Sequence, residues 1–312
     1  MAVIKTVFTM ADSLLSLFTS PFQAKWRNDW SERFARLSRG IDEWESYWRD
    51  STRDPEGLLA QNERGQNLAH LAVLWDRKEA LEFLPDYLMR KRDLRGLSPL
   101  DLADLLGREA FVRFWKGSGE RLVSLAEPGR TPDVAHWPHV RFEDARLLDE
   151  IADRTAQAKE QDEIPAEKIW MGVFFEQEIA EGAHPAVSIR WVNDRVGLGV
   201  FAGQAIPACS YVGEYAGLAV RKTRKNSRQR TYCVRYTTWG KGAYLIDAET
   251  GGNFTRFCNH SARPNMALQS VYCRGMPRMI LLSLRPIAEG EQLTFDYGAQ
   301  FWKELDQTPM IL

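Results

Sequence analysis

Cysteine is scarce in this sequence of 312 residues, and Cys209, Cys233, Cys258 and Cys273 stand far apart with no C-x-x-C pair. That spacing argues against a disulfide framework and against a zinc site built on paired thiolates. Reduced thiols in a cytosol-like compartment are the expectation. An excess of one charge is missing too: 41 Lys and Arg face 42 Asp and Glu, for a net charge of −1. No global field then draws the chain to nucleic acid or to an anionic membrane, and any such contact must be local. No uninterrupted apolar run reaches the ~18 residues that a membrane-spanning helix requires. The stretch from Met1 to Phe22 is apolar and begins with one lysine, as a secretory signal would, but Asp12 interrupts it. An amphipathic helix is expected there, with neither a signal peptide nor a membrane span. What is present is ordinary globular material, 44% hydrophobic and 27% charged, which can bury a core. At ~150 residues per domain, the length suggests two domains.

From Trp26 to Trp48 the residues Trp26, Trp30, Phe34, Leu37, Ile41, Trp44 and Trp48 recur at steps of three or four, which predicts one long helix with an apolar stripe. An internal repeat follows. Gly65-Gln-Asn-Leu-Ala-His70-Leu-Ala72 aligns with Gly96-Leu-Ser-Pro-Leu-Asp101-Leu-Ala103 at an offset of 31, near the ankyrin period of ~33. Helical sequence is expected after each, at 79–84 and 109–115. With Ser98-Pro99-Leu100 standing where a Thr-Pro-Leu helix start occurs, residues 55–116 resemble two degenerate ankyrin repeats. Two such units cannot cover their apolar faces alone, so the Trp-rich helix before them and residues 111–125 after them are expected to cap them. Pro and Gly punctuate 127–165, with one connecting helix expected over 142–160. Beyond Lys168 short runs rich in Val, Ile, Phe, Tyr and Trp read as strands. Val187, Ile189 and Trp191 alternate, as do Tyr232, Val234 and Tyr236, and Leu293, Phe295 and Tyr297.

Gly197-Leu198-Gly199-Val-Phe-Ala202 fits the loose dinucleotide fingerprint, but Gly203 and Pro207 rule out the helix that fingerprint needs. The glycines still permit close approach of a ligand to the backbone. Four further motifs follow in order: Tyr211-Val-Gly-Glu214-Tyr215; Tyr244-Leu-Ile-Asp247; Asn253-Phe-Thr-Arg256-Phe257-Cys258-Asn259-His260-Ser261 with Pro264-Asn265; and Glu289-Gly290-Glu291 leading to Phe295-Asp296-Tyr297-Gly298. In this order they resemble a SET domain, the protein lysine methyltransferase fold, over residues 185–302. The whole is similar to ankyrin-containing histone methyltransferases and to SET proteins of intracellular bacteria.

The resemblance implies an α+β chain: a helical ankyrin-like N-terminal domain followed by a β-rich SET domain with a pseudoknot-like C-terminal motif. The expected parts are amphipathic helices over 1–54, ankyrin-like repeats with caps over 55–125, a linker and connecting helix over 126–166, the SET domain over 167–302 and a tail over 303–312. It also implies S-adenosyl-L-methionine as cofactor, held by Gly197, Leu198, Gly199, Tyr232, Arg256, Asn259, His260, Tyr297 and Phe301. Tyr297 and Tyr215 are the expected catalytic residues, and Tyr215, Phe295 and Trp302 are expected to line the channel for the target lysine. Alternation along a strand places Phe295 and Tyr297 on one face, with Thr294 and Asp296 opposite.

The chemistry asks little covalent help, only alignment and a neutral amine. With an ordinary lysine pKa of ~10.4, about a thousandth of the amine is neutral near pH 7.4, a cost of about 4 kcal/mol. A poorly hydrated aromatic channel beside a sulfonium lowers that pKa, so no dedicated base is needed. Within the family, Phe at position 295 implies di- or trimethylation. Many relatives carry a cysteine after Asn-His-Ser and three more near the C-terminus on zinc; here Ala262 and a cysteine-free tail predict no metal. The partner expected is a protein substrate, a histone or other basic chromatin protein, in the cytoplasm or a nucleus, and the repeats offer a surface for a further protein. The alternative is a catalytically weak SET and ankyrin interaction module. Arg221 to Arg230 holds six basic residues in ten and is read as a solvated loop, with nucleic-acid binding as the rival. Asp133-Val-Ala-His136-Trp-Pro-His139 is read as a loop and not as a metal site, because Pro138 interrupts it.

Overall fold

The apolar stripe that runs through Trp30 folds as two helices instead of the expected one. In the computed structural model α1 (Pro21–Ser38) stops and α2 (Trp44–Ser51) begins anew. The reason is local: Gly40 takes a left-handed φ of 71°, and the amides of Arg39 and Gly40 turn back to the carbonyls of Arg36 and Leu37. The residues described are 21–40, 44–51, 54–82, 84–116, 124–125, 135–223, 231–239, 242–299 and 301–302. The expected helix at the extreme N-terminus, most of the basic loop and the tail beyond Trp302 lie outside them.

The chain divides into two compact units, Met1–Leu94 and Arg95–Leu312, and the division falls within the 55–125 segment. In the first unit Trp30, Phe34 and Leu37 of α1 are buried, and Trp30 and Phe34 meet the Tyr47 ring of α2 edge-on at 5.2 and 5.7 Å. Short helix α3 (Pro55–Leu59) is capped by Asp54, which also accepts a 2.7 Å bond from the Trp30 indole. Tyr47 donates to the Gly57 carbonyl.

The 31-residue repeat is written into the backbone. Helix α4 (Leu68–Leu74) and helix α6 (Pro99–Leu105) have equal length and start 31 residues apart. Each begins with a reciprocal capping box, Asn67 with His70 and Ser98 with Asp101. Each ends with a left-handed residue, Asp76 or Gly107, after which the amides of Arg77 and Arg108 return to Ala72 and Ala103, both at 2.8 Å. The helix expected over 79–84 is only a 3-10 turn at Lys78–Ala80, and helix α5 (Asp86–Arg90) starts after Pro85. Proline after Leu84 disfavours helical backbone at that residue. Helix α7 (Glu109–Lys116) agrees with the reading of 109–115.

In the second unit, β1 (Ser124–Leu125), β2 (Ala135–His136) and β3 (Arg141–Phe142) precede helix α8 (Ala145–Glu160). The helix starts later than expected because the Asp144 carboxylate caps it, accepting from the Leu147 amide at 2.8 Å. His136 lies in a short strand instead of a loop. Strand texture does not begin at Lys168: α9 (Ala166–Phe174) and α10 (Glu176–Glu181) come first, and β4 (Val187–Asn193) is the first long strand. The run Ile169-Trp-Met-Gly-Val-Phe-Phe175 is apolar all round, and periodicity cannot tell such a run from a buried strand.

The strands that follow are β5 (Gly197–Ala202), β6 (Tyr211–Glu214), β7 (Leu218–Arg221), β8 (Cys233–Tyr236), β9 (Tyr244–Asp247), β10 (Gly251–Gly252), β11 (Asn259–His260), β12 (Met266–Cys273), β13 (Met276–Ser283) and β14 (Gln292–Phe295). The larger sheet runs β1-β4-β5-β14-β12-β13-β6, with β11 also beside β14; a second runs β3-β7-β9-β8, and β10 pairs with β2. The long hairpin β12–β13 turns on Arg274 (φ 48°) and Gly275 (φ 79°) in register Cys273 to Met276. Two consecutive left-handed residues match the strands' own twist. Helix α9 lies so close on β12 that a Cβ on Gly172 would stand 1.7 Å from the Tyr272 carbonyl oxygen.

Candidate active site

Parallel pairing of β11 with β14 builds the site, because it sets Asn259 against Thr294 and His260 against Phe295. Asn265, 2% exposed, clamps the same strand: its amide group donates to the Gln292 carbonyl at 2.8 Å and accepts from the Thr294 amide at 2.9 Å. Strand β14 ends at Phe295, so Tyr297 stands just beyond it, and Thr294 is buried as well. The expected two-faced alternation therefore does not hold to Tyr297. The two rings still meet, 4.9 Å between centroids. The backbone turns after the strand because Asp296 accepts from the Gly298 amide.

Around Tyr297 the aromatic side chains close in. Phe301 meets its ring edge-on at 4.7 Å and Trp302 stacks nearly parallel at 6.0 Å. His260 lies 5.5 Å from Tyr297 and 5.0 Å from Trp302. The Tyr297 amide donates to His260 Nδ1 at 3.2 Å, which makes Nδ1 the acceptor and leaves the neutral ring's proton on Nε2. The Tyr297 hydroxyl donates to the Cys258 carbonyl at 2.8 Å, and the Tyr215 hydroxyl donates to the Tyr232 carbonyl at 2.9 Å. Burial pushes both phenols well above their ordinary pKa, and each is raised further by nearby titrating groups, Tyr297 by Cys258 and Tyr232, and Tyr215 by Tyr297. Both stay protonated donors at any physiological pH, and neither can take up a proton as a base.

The remaining expected residues join the same constellation. Asn259 donates to the Leu198 carbonyl at 2.9 Å, which ties β11 to the Gly197 turn. Gly197 has φ 78° and open space where a Cβ would stand, whereas a Cβ on Gly199 would strike Gln292 at 2.6 Å and Val192 at 2.7 Å. Arg256, 5% exposed, lays its guanidinium 4.0 Å from the Tyr232 ring and donates to the Glu249 carbonyl. Three buried donors here have no hydrogen-bond partner: Arg256 Nε, Gln292 Nε2 and Trp302 Nε1. Buried donors left unmatched are costly, and acceptors on a polar ligand would satisfy them.

Sequence reading missed Asn265 and Thr294 as the clamp on β14, although Pro264-Asn265 belongs to one of the ordered motifs. It also missed the Cys258 carbonyl, since a backbone acceptor leaves no mark in a sequence. His139 serves a buried ion pair: its Nδ1 lies 2.9 Å from Glu214, which also binds Arg278 at 3.1 Å. His136 lines a groove elsewhere in the unit. Arg221 pairs with Glu150. All four cysteines are free, Cys258 and Cys273 being buried. Among the described residues no group of three or more His, Cys, Asp and Glu is arranged to hold a metal ion, and no helix is long and apolar enough to cross a membrane.

The chain is similar to several known proteins. Over 116 residues the chain is 37% identical to histone-lysine N-methyltransferase trithorax of Drosophila virilis, covering 35% of this chain and 3% of that protein. It is 36% identical over 112 residues to histone-lysine N-methyltransferase EHMT1 of Homo sapiens, covering 34% of this chain and 9% of the relative. Against Su(var)3-9 of Drosophila melanogaster it is 33% identical, over 36% of this chain and 20% of the relative. The chain thus spans only a small part of the length of these relatives. A solved structure of KRYPTONITE with mCHH DNA, an H3(1-15) peptide and SAH is 29% identical over 37% of this chain and 24% of its own, with a TM-score of 0.32. The family model described as SET domain matches residues 197–298, the span that holds Gly197, Tyr215, Asn259, His260 and Tyr297.

Proposed function

We propose that this chain is a protein-lysine N-methyltransferase that uses S-adenosyl-L-methionine. The observation that carries the reading is the meeting of Tyr297, His260, Phe295 and Trp302 in one largely buried aromatic cluster at the end of the SET segment, with Tyr215 beside Tyr297. The relatives named as histone-lysine N-methyltransferases support it.

The residues fit the cofactor. Gly197 to Gly199 offers a backbone edge free of bulk at Gly197, and the unmatched donors on Arg256, Gln292 and Trp302 suit a polar, carboxylate-bearing ligand. Asn259, His260, Tyr232 and Phe301 complete the pocket that would hold it. When bound, it supplies a methyl group on a cationic sulfur. The chain's own part is orientation and exclusion of water. Tyr297 and Tyr215, fixed as neutral donors by burial, present hydroxyl oxygens of defined position instead of a base. Phe295 and Trp302 form dry walls that disfavour a charged ammonium, so an entering lysine gives up its proton to solvent before transfer.

We take the substrate to be a basic protein such as a histone, a reading supported by relatives named as histone-lysine N-methyltransferases. Residues 55–116 act as ankyrin-like repeats that recruit a further protein, a reading supported by the matched capping boxes of α4 and α6. Incubation with deuteromethyl-labelled S-adenosylmethionine and a panel of histones and bacterial basic proteins, read by tandem mass spectrometry, tests the function. Label on lysine is the expected result; label on no lysine of any panel member, or on a different side chain, contradicts it.

A further inference from the structure

Pro264-Asn265 and Glu289-Gly290-Glu291 belong to separate motifs of the sequence, and the fold joins them beside the strand that leads to Tyr297. Asn265 spends its whole side-chain amide there. Its Nδ2 donates to the Gln292 carbonyl at 2.8 Å and to Glu291 Oε1 at 2.9 Å, while its Oδ1 accepts from the Thr294 amide at 2.9 Å. Turned by half a rotation, the amide would set its oxygen against a carbonyl and a carboxylate, neither of which can donate. The charged acceptor on Glu291 strengthens that choice of orientation.

Glu291 is itself held. Arg285 Nη2 and Nη1 donate to its two carboxylate oxygens at 2.6 and 3.2 Å, and the Ala288 amide donates to Oε2 at 3.1 Å. The Arg285 hydrogen bonding, helped by Asn265 and the Ala288 amide, brings its pKa down to about 2, so it is an anion at any working pH. Its backbone is tied to β5, since the Ala202 amide donates to the Glu291 carbonyl at 2.9 Å. Asn265 is buried, whereas the Arg285 and Glu291 side chains are 51 and 30% exposed. A surface ion pair of this kind adds little to global stability. Its local reach is longer. Beyond Thr294 the strand carries Phe295, in register with His260 and Met266, and then comes Tyr297, whose amide donates to His260.

We propose that Glu291 is a positioning residue: held by Arg285, it orients Asn265, which fixes the end of β14 and with it the place of Tyr297. The effect on rate rests on the methyltransferase reading; the effect on β14 does not. Two measurements on the full chain keep them apart. Native-state hydrogen exchange by NMR reads the Thr294 and Tyr297 amides with neither cofactor nor substrate. Glu291→Ala should speed both by about 10-fold while the amides of the β12–β13 hairpin keep their wild-type rates, as local opening does. Glu291→Gln keeps an acceptor oxygen for Asn265 and should stay within about 3-fold of wild type. In methyl transfer Glu291→Ala should lower kcat about 10-fold with KM values within about 2-fold, because a small displacement of reacting groups is costly. Glu291→Gln should recover most of that loss, and Arg285→Ala should fall between the two. In a Tyr297→Phe background Glu291→Ala should cost less than about 2-fold, since effects exerted through one residue do not add. Unchanged exchange at Thr294 and Tyr297 in Glu291→Ala, or exchange raised equally across the hairpin, overturns the proposal. So does a further loss of about 10-fold in the Tyr297→Phe background. A wild type that methylates no protein of the panel overturns the methyltransferase reading, and the exchange rates then decide on Glu291 alone.

Discussion

Phe295 shows how much rests on single atoms in the tyrosine cluster. It is 3% exposed and 4.9 Å from the Tyr297 ring, so a hydroxyl added to it enters a confined space beside the Tyr297 phenol. A water retained there by several polar partners would crowd a methylated amine. Phe295→Tyr should therefore shift the product at long incubation from di- or trimethyllysine toward monomethyllysine, as read by intact-mass kinetics. A wild type that halts at one methyl while substrate and cofactor remain would remove Phe295 from this role. Glu214 illustrates the same sensitivity in a structural setting. Burial alone would raise its pKa, but the Arg278 charge and the His139 hydrogen bond hold it below the ordinary carboxylate value. A depressed folded pKa contributes stability that is present above the unfolded value and is lost as pH falls through the folded one. Unfolding free energy measured by urea titration should thus fall below about pH 4.5, and Glu214→Gln should flatten that acid limb. Arg278→Met, which leaves the carboxylate buried and alone, should cost about 3–5 kcal/mol at neutral pH. The groups facing Glu214 in this test are Arg278, His139 and Tyr211.

At the level of elements, the close seat of α9 on β12 depends on Gly172. A methyl group there would overlap the Tyr272 carbonyl, and backbone cannot move aside as a side chain can. Gly172→Ala should destabilise by about 3 kcal/mol, the upper end for overpacking, and lower the unfolding midpoint measured by calorimetry. An unchanged midpoint would mean that the helix sits further from the strand. Ser98→Ala, which removes the cap of α6, should cost about 1 kcal/mol in the same measurement. These elements also mark what could be read in the sequence. The repeat was legible to the residue, because Gly, cap and helix start recur at a fixed offset. Strands with clean alternation, such as Val187 to Trp191, were legible too. The helix over 166–174 was not, since an apolar run with no polar face carries no period. The break after Ser38 was missed because the step of three or four continues across Gly40, and only the left-handed φ there reveals the stop.

The whole molecule is two compact units, and the site proposed for methyl transfer lies in the second. Every residue expected at the site falls in that unit, with Asn259 tied to the Gly197 turn and Tyr297 stacked on Trp302. Ordered motifs made the residue set legible. How β11 and β14 pair was not, because parallel pairing between segments about 35 residues apart leaves no local signal. Ala262 in place of a cysteine leads to a further expectation: methyl transfer by the purified chain should persist in strong chelators, and stoichiometric zinc in active protein would contradict it. In the proposed function the Tyr297 hydroxyl, fixed on the Cys258 carbonyl, positions the reacting groups. Its most direct test is the steady-state rate of Tyr297→Phe beside its affinity for S-adenosylmethionine. In Tyr297→Phe, kcat should fall at least about 10-fold, with cofactor affinity and unfolding midpoint close to wild type. Turnover equal to the wild type would contradict it.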